Sequence, residues 1–210
     1  MSPGNPEGVA IAILAKAPLP GLAKTRLAPV LGADGAANLQ ARFIARTVTT
    51  AQSAAVGPVT LWVASDLRHP VFQTIAARRG VALAAQPEGD LGARMMAAVE
   101  AVSGPVIVVG TDCPALTPEH LRVAARALLD GIDVVIIPVD DGGYGLIGVR
   151  RLEPALFVGM TWSTSSVMAE TRRRLAGLGL SWREPARLWD VDRPADLDRL
   201  AGAGLASLMR

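Results

Sequence analysis

A pair of lysines in one short loop is the first feature of this sequence that could do chemistry. Lys16 and Lys24 are the only lysines in the chain, and both fall within residues 14–29, LAKAPLPGLAKTRLAP. A compact ammonium, a planar guanidinium and backbone amides beside a glycine suit the oxygens of a di- or triphosphate. We therefore predict a phosphate-binding loop made of Lys16, Gly21, Lys24, Thr25 and Arg26, in which Lys24 is also catalytic because its charge would stabilise the departing phosphate group. The alternative is a solvated loop whose cations only keep the protein soluble.

A lone carboxylate follows a later apolar run. Asp112 lies just beyond PVIVVG, in Gly110-Thr111-Asp112-Cys113-Pro114. At the tip of a buried strand such a carboxylate points towards a ligand, and Mg²⁺ or Mn²⁺ prefers oxygen donors of this kind. The pattern predicts Asp112 to be a metal ligand and a catalytic residue. The alternative is an Asx-turn, in which Asp112 bonds the loop backbone ahead of the proline.

A second pair of carboxylates lies near the end of the chain, in the segment Asp190-Val191-Asp192-Arg193-Pro194. Alternating residues of an extended segment point to the same side. We predict Asp192 as the second carboxylate on the metal, with Asp190 remaining an alternative. Asp192 could instead be an N-cap or first-turn charge, because Pro194 is typical of the first position of a helix.

A turn-rich segment, Asp140-Asp141-Gly142-Gly143-Tyr144, follows another apolar run. Paired glycines let a backbone approach a ligand closely, and tyrosine offers a flat face and a hydroxyl. We predict that Asp140, Gly142, Gly143 and Tyr144 contact substrate and that Asp141 is catalytic, since either carboxylate could act as a base. A β-hairpin turn would use the same residue types.

Trp162 and Ser163 form the last candidate site, just before a predicted helix. An aromatic ring, a hydroxyl and a helix N-terminus could hold a sugar or a phosphate. A buried tryptophan followed by an ordinary hydroxyl cap explains the same residues equally well.

Short apolar runs alternate with longer helical patterns, which predicts the framework that positions these residues. The pattern indicates an α/β protein with a mostly parallel mixed sheet flanked by helices, and ligands then bind beyond the carboxyl ends of the strands. The predicted strands are 9–15, 59–64, 81–85, 105–110, 133–138 and 146–149. The predicted helices are about 33–54, 70–79, 91–103, 117–130 and 164–177.

Composition narrows the class of protein. Half of the 210 residues are apolar, which is enough for one α/β domain, and the net charge is only +2. Scattered arginines argue against a nucleic-acid surface, and the single cysteine excludes an internal disulfide. We predict a disordered tail at 1–8, one domain at 9–210, no signal peptide, no membrane span and a cytoplasmic location. The oligomeric state stays open.

Five motifs, in this order, resemble a known family: LAKAPLPGLAKTRLAP, GTDCPALT, DDGGYGLIGV, the WST segment and DVDRPADL. The chain is similar, over about residues 9–202, to the GT-A-type radical-SAM/selenodomain-associated transferases, also called arsenosugar-biosynthesis glycosyltransferase-like proteins. More distantly it resembles nucleotidyltransferases of molybdenum-cofactor and deazaflavin synthesis.

The resemblance implies a GT-A nucleotide-diphospho-sugar transferase fold. It also implies that Lys24 and Arg26 meet nucleotide phosphates, that Asp112 and Asp192 hold the metal, and that the loop at 142–144 faces an acceptor. The sequence departs from the pattern at three positions: Arg193 replaces a usual threonine, Gly145 replaces a larger residue, and Gly110 replaces the first acid of an Asp-any-Asp motif.

These observations lead to a metal-dependent transferase that uses a nucleotide-sugar donor and a small-molecule acceptor. The lone Asp112 favours the alternative of nucleotidyl transfer, in which a triphosphate loses pyrophosphate to a phosphorylated acceptor. A catalytically silent nucleotide-binding protein of the same fold is the third possibility.

Overall fold

A computed structural model describes residues 8–209, and one seven-stranded sheet forms its centre. The strands lie in the order β3-β2-β1-β4-β6-β5-β7. Their bounds are β1 Ala10–Lys16, β2 Val59–Ala64, β3 Ala82–Ala85, β4 Val106–Val109, β5 Val134–Pro138, β6 Tyr144–Val149 and β7 Trp182–Arg183. Only β6 runs against its neighbours, pairing antiparallel with β4 and β5. The predicted mostly parallel mixed sheet is thereby confirmed.

Six α-helices lie within 8–209, and the prediction gave ranges for five of them and the start of the sixth. Their bounds are α1 Ala28–Ala54, α2 Pro70–Arg79, α3 Leu91–Glu100, α4 Pro118–Leu129, α5 Val167–Gly177 and α6 Pro194–Gly202. Helix α1 begins five residues before the predicted start, but Gly32 interrupts it with φ 70° and ψ 168°, so regular helix resumes near residue 33. Pro194 begins α6, as the sequence indicated. The two-residue strand β7 was missed, because so short a segment has no readable period.

The core lies on both faces of the sheet. On β1, Ile11 and Ile13 join the layer beneath α1, α2 and α4, whereas Ala10 and Ala12 join the layer beneath α3 and α5. Successive side chains of a strand point to opposite faces, so a strand that is covered on both sides must be apolar throughout. This explains why the strands read as continuous apolar runs.

A third apolar cluster attaches the end of the chain to the start of α1. Trp189 and Val191 of the segment before α6 pack with Leu27, Leu39 and Phe43, and all five are buried. The cluster brings the acidic segment at 190–192 beside the lysine loop, although more than 160 residues separate them in sequence.

The predicted N-terminal tail, 1–8, lies outside the described residues except for Gly8. No helix within 8–209 is both long enough and apolar enough to cross a bilayer.

Candidate active site

A cavity of about 620 Å³ opens at the carboxyl ends of β1 and β4, which pair in parallel with Ile13 opposite Val109. The antiparallel strand β6 begins at the same edge, where the Gly110 amide donates to the Gly145 carbonyl at 3.4 Å. The volume falls within the usual range for small-molecule sites. Eleven of the predicted site residues line the cavity: Lys16, Lys24, Thr25, Arg26, Asp112, Asp141, Gly143, Tyr144, Trp162, Ser163 and Asp192.

Lys24 lies at the centre of the contacts in this cavity. Its Nζ is 2.8 Å from Oδ1 of Asp112 and donates to the Val191 carbonyl at 2.6 Å. The lysine side chain is only 4% exposed, whereas that of Asp112 is 55% exposed. Lys24 also adopts the left-handed backbone conformation, with φ 48°, and its ammonium lies 5.7 Å from the Phe43 ring centre. Its charge is therefore already engaged by protein groups, and it ties the first loop to both acidic segments.

The other two basic residues of the loop are more open. Arg26 is 65% exposed and forms an ion pair with Asp192, which is 37% exposed. Lys16, at the end of β1, is exposed and lines the cavity. Lys16 and Arg26 are thus better placed than Lys24 to meet an incoming anion.

Asp112 is held in position from two sides. The Val191 amide donates to the Asp112 carbonyl at 2.9 Å, and the buried Gln40 donates to the Thr111 hydroxyl at 3.0 Å. The side-chain contacts of Asp112 are made through Oδ1, with Lys24 and, at 3.5 Å, with Thr111. Its Oδ2 has no partner among the described residues and is available to a ligand.

Asp190 is a member of the site that the prediction left as an alternative. It is partly buried and lines the cavity. Burial raises the pKa of its carboxyl to about 6, and the nearby Asp141 carboxylate adds to the effect. Asp192, the predicted ligand, faces Arg26 instead, and Asp196 rather than Asp192 accepts the amides that begin α6.

These carboxylates fit a divalent cation that completes its shell with substrate oxygens. No three His, Cys, Asp or Glu side chains within 8–209 are grouped as a ready-made metal site. Mg²⁺, however, is commonly bound through one or two carboxylates and substrate phosphates. The open Oδ2 of Asp112 and the like-charged pair of Asp141 and Asp190 supply oxygen donors of that kind.

In the 140–144 segment, some residues only form the turn and others line the cavity. It forms the β5–β6 hairpin turn, in which the Val139 amide donates to the Gly143 carbonyl at 3.1 Å. Asp140 lies outside the cavity lining and binds Arg187 and Arg199 at 2.8 and 2.7 Å. Gly142 also lies outside the lining, as does Gly21 of the lysine loop. Asp141, whose Oδ1 accepts from the Gly143 amide at 2.8 Å, remains in the lining.

The two aromatic candidates form one wall of the cavity. The Tyr144 and Trp162 rings meet edge to face with centres 6.4 Å apart. The Tyr144 hydroxyl points to the Met95 sulfur at 3.9 Å, and burial raises its pKa. The Tyr144 hydroxyl is therefore directed at Met95, another residue of the cavity lining. The indole nitrogen of Trp162 is buried with no partner among the described residues.

Two further lining residues, Gln40 and Arg94, were absent from the prediction. A polar residue among the apolar positions of α1 was the only sequence signal for Gln40. For Arg94, the signal was a position just after a strand–loop–helix junction, which the prediction did not use.

Comparison with solved structures confirms the predicted fold class. A protein from Desulfovibrio desulfuricans G20, provisionally named a nucleotide-diphospho-sugar transferase, matches with TM-score 0.79 and 29% identity over 88% of this chain and 82% of that one. A nucleotidyl transferase from Methanothermobacter matches with TM-score 0.64 and 17% identity over 95% and 99%. Glucosyl-3-phosphoglycerate synthase from Mycobacterium tuberculosis, solved with Mn²⁺ and UDP, matches with TM-score 0.57 and 12% identity over 97% and 78%. The first of these, at 29% identity, is named a transferase, which supports the predicted enzyme class. The other two are less similar in sequence and show the fold alone.

No curated protein matches the sequence. A family profile matches residues 47–164, which are more than half of the chain. The matched region contains Asp112, Asp141 and Trp162 but neither the lysine loop nor the 190–192 segment. The chain belongs to the family described as "Uncharacterized protein conserved in bacteria (DUF2064)".

Proposed function

We propose that the protein is a transferase that takes a glycosyl group from a nucleotide-sugar donor and passes it to a small acceptor. The observation that carries the proposal is the junction at Lys24, where the loop after β1, the end of β4 and the segment before α6 meet at one cavity. In open α/β sheets this edge binds ligands. The likeness to a protein provisionally named a nucleotide-diphospho-sugar transferase supports the donor class. The narrower resemblance to radical-SAM-associated transferases rests on the five motifs.

In this proposal the donor diphosphate lies over the 16–26 loop. Lys16 and Arg26 contact its oxygens, because their side chains are exposed at the cavity. Lys24 keeps Asp112 in position rather than meeting phosphate itself. Asp112 and Asp190 would hold Mg²⁺ or Mn²⁺, and such an ion would supply charge neutralisation at the diphosphate. This assignment replaces Asp192 by Asp190, because Asp192 is paired with Arg26.

The acceptor approaches from the side of Gly143, Tyr144 and Trp162. Its hydroxyl attacks the anomeric carbon, the bond from that carbon to the diphosphate oxygen breaks, and the nucleoside diphosphate leaves with the bonding electrons. Asp141 takes the hydroxyl proton, since its carboxylate lines the cavity and is oriented by the Gly143 amide.

Nucleotidyl transfer is the second candidate, and the lone carboxylate after β4 favours it. Gly110 occupies the position where an Asp-any-Asp motif has its first acid, although a Cβ there would meet nothing within 4 Å. Space therefore does not explain the missing acid. An acceptor phosphate would attack the α-phosphorus of a triphosphate, and pyrophosphate would leave.

A ligand panel tests both candidates. Melting curves are measured with nucleoside triphosphates, diphosphates and nucleotide sugars, each with Mg²⁺, Mn²⁺ or EDTA. Binding at a hundredfold excess over Kd adds about 2.7 kcal/mol, which corresponds to a melting shift of about 5–10 °C for a chain of this size. A metal-dependent shift with one nucleotide sugar is the expected result. A shift confined to one triphosphate selects nucleotidyl transfer.

Products then identify the reaction. Phosphorus NMR after long incubation with the stabilising nucleotide distinguishes a nucleoside diphosphate from pyrophosphate. Arg68→Ala is the control variant, because Arg68 is 93% exposed and outside the cavity. The absence of a shift with every nucleotide would refute the phosphate-binding loop and both candidates with it.

A further inference from the structure

Arg94 is a cation in the cavity that no residue within 8–209 neutralises. It lies on α3 with Leu91 and Met95, on the helix face that lines the cavity. Its guanidinium takes part in no ion pair and no side-chain hydrogen bond among the described residues, and its Nε is buried without a partner. Lys24 and Arg26, by contrast, are both bound to carboxylates.

A half-buried arginine whose Nε is buried without a partner, while its terminal nitrogens stay open and unpaired, is an unusual feature. Arginine stays protonated in proteins, so the group cannot escape the cost of burying its Nε–H by losing its charge. Buried donors are nearly always paired, and an unpaired one needs an explanation. An anionic ligand group entering the cavity would supply the missing acceptor.

The Trp162 indole is a second unpaired donor on the same cavity. Its Nε1 is buried without a partner in the described part of the chain. The indole rests on the first turn of α3, where a Cβ at Gly92 would lie 3.1 Å from Nε1 and 2.8 Å from the Phe157 carbonyl. Glycine at that position lets the ring pack against the helix that carries Arg94.

The position of these donors assigns them to the acceptor rather than to the donor. The segment that carries Trp162 docks on the β5–β6 turn, where the Met168 amide donates to the Gly142 carbonyl at 2.9 Å and the Trp162 ring meets Tyr144. The exposed cations Lys16 and Arg26 come instead from the end of β1 and the loop that follows it. The cavity thus has two sets of donors that come from different segments of the chain.

We propose that Arg94 and the Trp162 indole N–H bind a negatively charged group, a carboxylate or a phosphate, on the acceptor substrate. The fork of the guanidinium suits either oxyanion, and the indole adds one directed donor. That the anionic group belongs to an acceptor substrate rests on the proposed function, whereas the anion site itself does not.

A titration followed by NMR tests the site directly. Inorganic phosphate and malonate, the two probes, are titrated at constant ionic strength into ¹⁵N-labelled protein, with and without saturating nucleoside diphosphate. The Trp162 indole signal is identified by its loss in Trp162→Phe. We expect that signal to move on titration, and the probe that binds more tightly tells phosphate from carboxylate.

Variants measure the part played by Arg94. Arg94→Gln should weaken binding of the preferred probe at least about tenfold, the scale of one charge-assisted hydrogen bond. Arg94→Lys should give an intermediate affinity, and Arg68→Gln, on the surface, should leave it unchanged. The melting temperature of ligand-free Arg94→Gln should equal or exceed that of the wild type, because the arginine has no partner to lose.

Three results would overturn the proposal: an unmoved Trp162 signal, unchanged probe affinity in Arg94→Gln, or a loss confined to nucleoside diphosphate binding. The last would assign Arg94 to the donor. If no nucleotide binds but the probes behave as expected, the proposed function fails and the anion site stands.

Discussion

Lys24 and Asp112 form an ion pair of 2.8 Å across 88 residues of sequence, and the lysine is the buried partner. Burying the cation while the carboxylate stays open directs the free oxygen of Asp112 to the cavity. Lys24 also binds the Val191 carbonyl, so one ammonium fixes three chain segments. The most basic loop of the protein therefore serves both packing and ligand binding.

Replacing each lysine separates these two roles. Lys24→Met should lower the free energy of unfolding by about 1–3 kcal/mol, because it leaves Asp112 and the Val191 carbonyl without their donor. Lys16→Met should leave stability unchanged, since Lys16 is exposed. Urea denaturation measures both variants. Equal stability in the two would show that Lys24 does not hold the segments together.

Substitutions of the Lys24–Asp112 ion pair should also lower the rate of turnover. Lys24→Ala and Asp112→Ala should each reduce turnover about tenfold to a hundredfold, the scale of losing one positioned charge. The product assay with the identified nucleotide gives the rates, and near-wild-type activity in either variant would refute the site.

Asp190 and Asp192, the two acidic candidates near the C-terminus, should respond differently to substitution by asparagine. Asp190→Asn should abolish the metal-dependent part of the nucleotide melting shift. It should also stabilise the ligand-free protein, because it removes a partly buried charge beside Asp141. Asp192→Asn should keep the metal dependence and lose only its pairing with Arg26. Melting curves with Mg²⁺ and with EDTA compare the two, and the reverse pattern would restore Asp192 as the ligand.

Asp140→Asn should affect stability in a pH-dependent way and leave nucleotide binding unchanged. Hydrogen bonds from Arg199 and Arg187 lower the pKa of Asp140 below its usual range. A depressed folded-state pKa contributes stability above the unfolded value near 3.9, and that stability is lost as the pH falls through the folded value. The variant should be less stable by up to about 1 kcal/mol at pH 7, because the carboxylate is partly exposed.

Urea denaturation from pH 7 to pH 3 follows the effect of that substitution. The difference between the variant and the wild type should shrink as Asp140 becomes protonated. A difference that is independent of pH would show that the charge of Asp140 is not its source.

Gly142→Ala and Gly110→Ala should have opposite outcomes, although both glycines neighbour the cavity. Gly142 has φ 92°, and a Cβ there would lie 2.2 Å from the Ser165 carbonyl oxygen. The substitution should cost at least about 2 kcal/mol through backbone strain and collision. Gly110→Ala meets nothing within 4 Å and should be neutral. Chemical denaturation of both tests the turn, and a neutral Gly142→Ala would contradict this account of it.

The single cysteine should be inert in the folded protein. Burial raises the pKa of the Cys113 thiol to about 12, so the thiolate needed for alkylation is scarce at pH 8. Iodoacetamide should modify Cys113 only after denaturation, as followed by intact mass. Rapid labelling of folded protein would show that the thiol is accessible.

The sequence by itself determined six of the seven strands, most helix bounds and the edge of the sheet at which the motifs gather. Strand and helix periods are local, and strands buried on both faces produce unmistakable apolar runs, as Ile11 and Ile13 illustrate with Ala10 and Ala12. Parallel pairing then requires the loops after β1 and β4 to be neighbours, so the sequence alone predicts that Lys16, Lys24 and Asp112 lie together.

Only the tertiary structure decided which charged side chains form ion pairs with each other. Lys24 pairs with Asp112, Arg26 pairs with Asp192, and Asp140 turns away to Arg187 and Arg199. These partners are between 47 and 166 residues apart, and local patterns carry no information about contacts at such separations. The same holds for Arg94. That it has no ion-pair partner among the described residues depends on where every neighbouring side chain lies, and the sequence does not give those positions.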